Sequence, residues 1–426
     1  MSKPPHQSET DSPPPHDQGG RVVIAGLGLI TPLGVGAWPT FSALLKGATL
    51  ADRAAQLPED VSAVDLVRAL GCVSVAQHTA TDPAVELAER AAREAASMAG
   101  VPLKGLPVWL GTSKGAVARL STQLGLGRPL DEESIQAVAL GPHGYLANRL
   151  TQRTGCAVHS HVVGACASGL IALDSARRWL QDPRRDPQTA SHALVVTAES
   201  ALTEAFIHSY SRLGILAPLT LAGYRQRPLD RRRQGFMLCE CGTSVLLRRL
   251  KDGETPRAGE VELLDTAVAN ESADLIQGDP EMPALAHVAK RLFTHRQVDV
   301  IHPHAPGTQD HDSQECSVLL QTLGLRWPSR AHDVSMYACK GALGHSLGCA
   351  GLTSLVLACL ILRTGRIPAM PWLSEPITLP GEGAGLNRAA HSCNTTGTHA
   401  VFAAGFGGHT AGALLQGLAQ ASPLNR

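Results

Sequence analysis

The chain has 426 residues, 44% of them hydrophobic, and its 37 Lys and Arg balance 37 Asp and Glu. Zero formal charge excludes a general attraction to nucleic acid or to an anionic membrane surface, and the length allows a large core built as two or three structural units. The ten cysteines include no CxxC pair, Cys239-x-Cys241 being the closest spacing, which reads as a reduced, cytoplasmic set and not as a disulfide framework.

Met1 to Gly20 is rich in Pro, Ser, His, Gln and Asp, without the apolar centre of a signal peptide or the basic bias of a transit peptide, and is expected to be a disordered tail. Arg21 to Ala25 reads as a short apolar strand. The Gly26-Leu27-Gly28 that follows looks like a dinucleotide loop, but Thr31 stands where the third glycine belongs and Pro32 comes next, so a phosphate cradle is set aside. Asp82 and Pro83 open a helix that carries Leu87, Ala88, Ala91, Ala92 and Ala95 on its apolar face and stops at Gly100. Val108 to Leu110, Ala193 to Thr197 and Thr243 to Leu247 read as strands.

The second half repeats the theme. Strands are expected at Val261 to Val268 and Val298 to His302, helices at Pro283 to Phe293 and Ser313 to Leu323. A closing hairpin, His399 to Ala404 with Ala411 to Gln416, turns around Gly405-Phe406-Gly407-Gly408. The most apolar run, Leu347 to Leu362, is interrupted by Gly348, Gly351, Thr353 and Ser354 and is shorter than the roughly 20 residues of a membrane span, so it is expected to be a buried helix. This alternation predicts an α/β architecture with largely buried sheets. Two similar fused halves, 21–255 and 256–420, would meet near Lys251 to Pro256.

The most informative stretch is Val162-Val163-Gly164-Ala165-Cys166-Ala167-Ser168-Gly169-Leu170. Both faces of the preceding segment, Ala157 to Val163, mix apolar and polar residues, as in a mostly buried strand. Beyond the cysteine, Leu170, Ile171, Leu173, Ala176 and Leu180 recur at helical spacing. Cys166 would therefore sit at a helix N-terminus, where the dipole and free N–H groups favour a thiolate. A small buried cysteine in a tight turn is the plain alternative.

Two histidine stretches follow. His302-Pro303-His304 ends a strand, with Asp312 and Glu315 close behind, and His345 lies in Lys340-Gly341-Ala342-Leu343-Gly344-His345 just before the apolar helix. A sulfur with two imidazoles suits acyl transfer, the sulfur taking the acyl group and the imidazoles donating to oxyanions. His302, His304, His311 and Asp312 could alternatively form a metal site, although Pro303 and the glycines leave that geometry unspecified.

In these residues the chain resembles the β-ketoacyl-acyl-carrier-protein synthases, condensing enzymes of the thiolase superfamily, from Arg21 to about Leu418. The opening Val22 to Gly34, the Ala165-Cys166-Ala167-Ser168-Gly169 turn, Arg227-Pro228-Leu229-Asp230 with Gly235-Phe236, the His304 loop, Lys340 to Gly351 and Gly405-Phe406-Gly407-Gly408 occur in the family's order. The resemblance implies a thiolase-like fold of two α/β halves with mixed sheets and central helices. It implies Cys166 as nucleophile, His304 and His345 as the pair that promotes malonyl decarboxylation, and Lys340 as the charged neighbour that orders them. Asp312, Glu315 and Glu240 would be supporting acids, with Glu315 the partner of Lys340. The amides of Cys166 and Phe406 would form an oxyanion hole, and Phe406 a gate to the acyl pocket. Lys114 would fall where relatives with long-chain products place an aliphatic residue in that pocket.

The reaction so implied is a decarboxylating Claisen condensation with malonyl carrier protein, in fatty acid or polyketide synthesis, without metal or organic cofactor. An acyl carrier protein is the implied partner, in a homodimer or a heterodimer with a related subunit. Arg225, Arg227, Arg231, Arg232 and Arg233 would offer the acidic carrier a basic landing loop. The chain departs from the family's common Asn-Ala-His-Gly-Thr at His302 to Pro306, from its Gly-Glu-Gly at Cys239-Glu240-Cys241, and at Ala404, where an aromatic is usual. Two rivals stand beside this reading: a non-catalytic chain-length partner subunit, and a cysteine hydrolase with Gly164-x-Cys166 as elbow, which lacks the second glycine because Ser168 occupies its place.

Overall fold

The computed structural model describes residues 20–76, 81–186, 190–221, 226–271, 278–294, 296–327, 334–380 and 385–418. The tail expected before Gly20, and Arg225 of the basic loop, lie outside them. Ten strands carry the architecture. They are β1 (Val22–Thr31), β2 (Pro107–Gly111), β3 (Ala157–Val162), β4 (His192–Glu199), β5 (Cys241–Arg249), β6 (Val261–Asn270), β7 (Val300–His302), β8 (Ser335–Met336), β9 (Thr398–Gly405) and β10 (His409–Gln416).

Their order in space is β3-β2-β4-β5-β1 in the first half and β8-β7-β9-β10-β6 in the second, the same order with every number raised by five. The directions repeat as well. β2 is parallel to both its neighbours and β5 antiparallel to both of its own, as β7 and β10 are in the second half. A short antiparallel pairing of Val23 with Glu262 and Ile24 with Val261 joins the halves.

Seven helices matter for the site and its support: α1 (Pro83–Ala99), α2 (Glu132–Thr154), α3 (Ser168–Gln181), α4 (Glu204–Arg212), α5 (Pro283–Phe293), α6 (His311–Arg326) and α7 (Ala350–Thr364). Helices α3 and α7 cross at the centre of the molecule. A Cβ on Gly169 would stand 3.0 Å from Leu352 Cβ, and one on Gly351 would stand 2.8 Å from Leu170 Cγ, so the paired glycines permit that close crossing. Leu347–Thr364 is long and apolar enough to cross a membrane by length and composition, yet 89% of it is buried inside the protein, as expected of a core helix.

The first strand is longer than Arg21 to Ala25. It continues to Thr31, so Gly26 and Gly28 are strand residues and not a loop. Their purpose is helix packing: a Cβ on Gly26 would lie 2.0 Å from the carbonyl oxygen of Ala95, one on Gly28 2.0 Å from that of Ala91, and one on Gly242 2.3 Å from that of Leu87. Helix α1 thus rests its Leu87, Ala91 and Ala95 backbone directly on β1 and β5. Backbone on both sides cannot yield as a side chain would, so Gly28→Ala is expected to destabilise the protein by about 3 kcal/mol, read as a lower urea midpoint at unchanged slope.

Strand β3 corrects the expectation of a mostly buried segment. It is the edge strand of its half, and its residues alternate between exposed and half-buried, with Val163 beyond it 57% exposed. Its mixed sequence reflects one side without a strand partner among the described residues.

Candidate active site

Strand β3 leads through Val163 and Gly164 to a single 3₁₀ turn, Ala165–Ala167, which runs on into α3. Ala165 takes a left-handed φ of 46°, and the Ser168 hydroxyl ties the turn together by donating to Ala165 O at 2.7 Å and accepting from Gly164 N at 2.9 Å. Cys166 is thereby presented, half-buried, to a cavity of about 770 Å³ that His304, His345 and Phe406 also line. Its Sγ and one ring nitrogen of each histidine lie within 4.8 Å of one another.

The second half supplies both imidazoles. His304 follows β7, and the Glu315 carboxylate on α6 accepts from His304 N at 2.5 Å and from Ala305 N at 2.7 Å. His345 is held by a strand-like pairing, donating from its N to Met237 O at 2.7 Å and accepting at its O from Cys239 N at 3.3 Å. The two rings meet edge to face with centroids 5.3 Å apart, and Phe236 backs His345 at 4.7 Å. Nδ1 of each ring is buried without a hydrogen-bond partner, which leaves Nε2 as the nitrogen that faces the cavity. Besides Ala165, both Ala305 (φ 33°) and Leu347 (φ 46°) are left-handed, so three strained residues lie within two positions of Cys166, His304 and His345.

Lys340 donates from Nζ to the carbonyl oxygen of His304. Among the described residues it makes no ion pair with Glu315, contrary to the expectation, because Glu315 is already engaged by two backbone amides. Asp312 is buried and accepts from Leu229 N and Gly307 N, both at 2.9 Å, so it closes the His304 loop and does not face the sulfur. Glu240 accepts from Val73 N at 2.8 Å and Ser200 Oγ at 2.7 Å, anchoring the segment that holds His345. The metal alternative does not assemble: His302 turns away to pair with His399, Nε2 to Nδ1 3.1 Å, and Asp312 spends its oxygens on the backbone. At the other wall a Cβ on Gly405 would lie 2.8 Å from Cys166 N, which sets the Gly405-Phe406 turn directly beside the Cys166 amide.

The electrostatics also revise one expectation. Burial pushes the Cys166 thiol up to about 12; Lys340 and Lys114 pull it down, while Glu199 pushes it further up. The helix N-terminus therefore does not leave a free thiolate at rest. Burial, together with Lys340, holds both His304 and His345 well below the usual imidazole value, so both rings are neutral.

Lys114 is half-buried and does not line the cavity. Its ammonium lies over the rings of Phe206 and Tyr210, at 5.9 and 6.0 Å, and Tyr210 is the cavity wall. Of the basic loop, Arg231 and Arg232 are exposed, whereas Arg233 is buried and donates to Thr308 O at 2.8 Å and Ser313 Oγ at 2.7 Å. Arg233 braces the His304 loop and is no part of a landing surface. Sequence reasoning passed over Tyr210 and Glu199, and considered His311 only as a metal ligand. Glu199 is a buried carboxylate beside Cys166, raised by burial to about 7 and hydrogen-bonded to Thr112 Oγ1 at 3.0 Å.

A duplicated α/β fold with a cysteine at a central helix start and two neutral imidazoles opposite it defines a thiol-dependent acyl-transfer centre. Residues 20–253 match the profile of the β-ketoacyl synthase N-terminal domain and residues 265–373 that of the C-terminal domain. The chain belongs to the β-ketoacyl synthase family.

It is 26% identical over 278 residues to the 3-oxoacyl-[acyl-carrier-protein] synthase 2 of Mycobacterium leprae (strain TN), a match spanning 62% of this chain and 63% of that protein. With a putative polyketide beta-ketoacyl synthase 1 of Streptomyces halstedii it shares 26% over 380 residues, 82% of this chain and 87% of the relative. Among solved structures it is similar to the type II polyketide ketosynthase AntDE in complex with its acyl-carrier protein AntF. There the TM-score is 0.75 at 17% identity over 94% of this chain and 100% of the other. The ishigamide ketosynthase/chain length factor gives 0.72 at 20%, again over 94% and 100%.

Proposed function

We propose that the protein is a catalytically active condensing enzyme, joining an acyl group held on Cys166 to a malonyl unit delivered by an acyl carrier protein. The observation that carries this reading is the convergence of Cys166 Sγ with His304 and His345 within 4.8 Å at the wall of one cavity. A non-catalytic partner subunit has no use for that geometry.

In the first half-reaction the Cys166 sulfur attacks the acyl thioester and the carrier thiolate departs with the proton that the thiol gives up. Because burial keeps the resting sulfur protonated, proton loss accompanies the attack. In the second, the bond between the malonyl carboxylate and its methylene carbon breaks, carbon dioxide leaves, and the electron pair moves to the thioester oxygen as an enolate. Neutral imidazoles presenting N–H from Nε2 stabilise that oxygen where charge develops. The enolate carbon then attacks the acyl carbonyl on Cys166, whose oxyanion the Cys166 and Phe406 amides receive. The C–S bond breaks, and the released thiolate takes up one proton. Incubation with a panel of acyl and malonyl carrier thioesters, read by mass, tests the reading: a β-ketoacyl product supports it, and free acid or no acyl-enzyme overturns it.

The working unit is a dimer, of two copies or of this chain with a related subunit, joined along β3. The edge of β3 is open, and Ile135 (55% exposed), Val138 (57%) and Leu140 (52%) of α2 add exposed apolar surface. If two copies pair, light scattering of the purified chain should give twice its 44.7 kDa mass and Val163→Lys should lower it toward that of a single chain; a doubled mass kept by the variant removes β3 from the interface, and a single-chain mass in the wild type leaves the related subunit as the partner. The carrier would approach by Arg231 and Arg232. A cytoplasmic setting belongs to the same proposal, on the ten scattered cysteines without a CxxC pair.

A further inference from the structure

The cavity has a third imidazole that the mechanism above leaves idle. His311 is the first residue of α6 and lines the same space as Cys166, His304 and His345. Its ring meets that of His304 edge to face, centroids 5.4 Å apart at 75°. Its Nε2 lies 3.5 Å from Glu315 Oε2, the oxygen that also accepts the Ala305 amide. One carboxylate thus holds the backbone of His304 by a hydrogen bond and stands within ion-pair distance of the side chain behind it, whose Nε2 has no hydrogen-bond partner. A helix start disfavours a cation, so a histidine placed there needs a reason to be charged, and Glu315 provides it.

We propose that His311, paired with Glu315 and set edge-on to His304, is a positioning residue for decarboxylation that holds positive charge behind the His304 donor. The inference rests on the condensing reading. During decarboxylation negative charge moves from the malonyl carboxylate to the thioester oxygen, and a cation nearer the latter lowers the barrier. His311 stands behind the ring expected to bind that oxygen. Its charge also opposes protonation of both His304 and His345, keeping them as neutral donors.

The charged and titratable groups around His311 are consistent with this role. Glu315 and Asp312 on its own helix favour its imidazolium, whereas burial and Lys340 oppose it; the balance lifts His311 above the usual imidazole value, in contrast to its two neighbours. Asp310 precedes it, His304 and His345 face it, Arg233 braces the loop from behind, and Glu271, Asp279 and His409 line other parts of the cavity. With His311 charged below its raised value and neutral above it, decarboxylation should be fast at low pH and should slow as pH rises through that titration.

The test measures carbon dioxide release from the malonyl thioester of an acyl carrier protein between about pH 6 and 9, with acylation of Cys166 followed separately by mass. The wild type should show the falling limb. His311→Gln should lose roughly tenfold in decarboxylation at the low end, show no limb, and acylate at the wild-type rate. His311→Lys should restore the low-pH rate and carry it to higher pH. A His311→Gln profile that keeps the wild-type limb, or a uniform loss in both half-reactions at every pH, overturns the inference while leaving condensation standing. A wild type that releases no carbon dioxide at any pH sinks the condensing reading and this inference together.

Discussion

Cys166→Ala is expected to leave the protein folded and to abolish the acyl-enzyme, with condensation falling by a factor on the order of a million. The substitution removes one sulfur from a half-buried side chain at the cavity wall, so its effect on stability should stay within about 1 kcal/mol. The turn that presents residue 166 does not depend on the sulfur: Ser168 and the left-handed Ala165 hold it. Intact-protein mass after incubation with an acyl carrier thioester reads the adduct, and urea unfolding reads the fold. An adduct on the variant would mean that another of the ten cysteines carries the acyl group. Decarboxylation of the malonyl thioester should persist in Cys166→Ala, because that step uses the imidazoles and not the sulfur.

His304→Ala and His345→Ala should show the complementary pattern, a loss of roughly a hundredfold or more in malonyl decarboxylation with a much smaller loss in Cys166 acylation. The reason lies in where charge appears. Both rings are neutral and turn Nε2 to the cavity, so they contribute as donors to an oxygen that becomes negative only when carbon dioxide leaves. Each ring is packed between two others, His304 between His311 and His345 and His345 between His304 and Phe236, so removal of either leaves space at the cavity wall. Equal losses in both half-reactions would instead assign the histidines to the sulfur or to the fold.

The groups that meet at the cavity were legible in the sequence because each occupies a short, ordered motif: Cys166 between strand and helix, His304 after a strand, His345 before the apolar run, Phe406 in a glycine turn. What surrounds them was less legible, for physical reasons. That a carboxylate serves two backbone amides and not a lysine depends on the fold of the His304 loop, so Glu315 was assigned the wrong partner. A helix start is visible in sequence but depth of burial is not, and burial is the largest influence on the Cys166 thiol. Thr31 and Pro32 were enough to set aside a phosphate cradle at Gly26 and Gly28, but that these glycines let a helix touch a strand shows only in the strand's continuation to Thr31 and the close approach of α1. Helix α2 escaped notice because Gly141, at φ 70° and ψ 149°, breaks its periodicity just before Pro142. Strand β3 misled because an edge strand that alternates between exposed and half-buried residues has the composition of a core on one side only.

The repeated strand order has a bearing on how such a site can arise. Cys166 stands just before the central helix of one half, and His345 just before that of the other. A duplicated ancestor would have offered two equal sockets at these helix starts, and here one has taken the electron-rich sulfur and the other the proton-bearing ring. The division of labour follows the division of the chain, so neither half holds a complete reaction. The short seam where Val23 and Ile24 pair with Glu262 and Val261 is a backbone link between the sheets of the two halves.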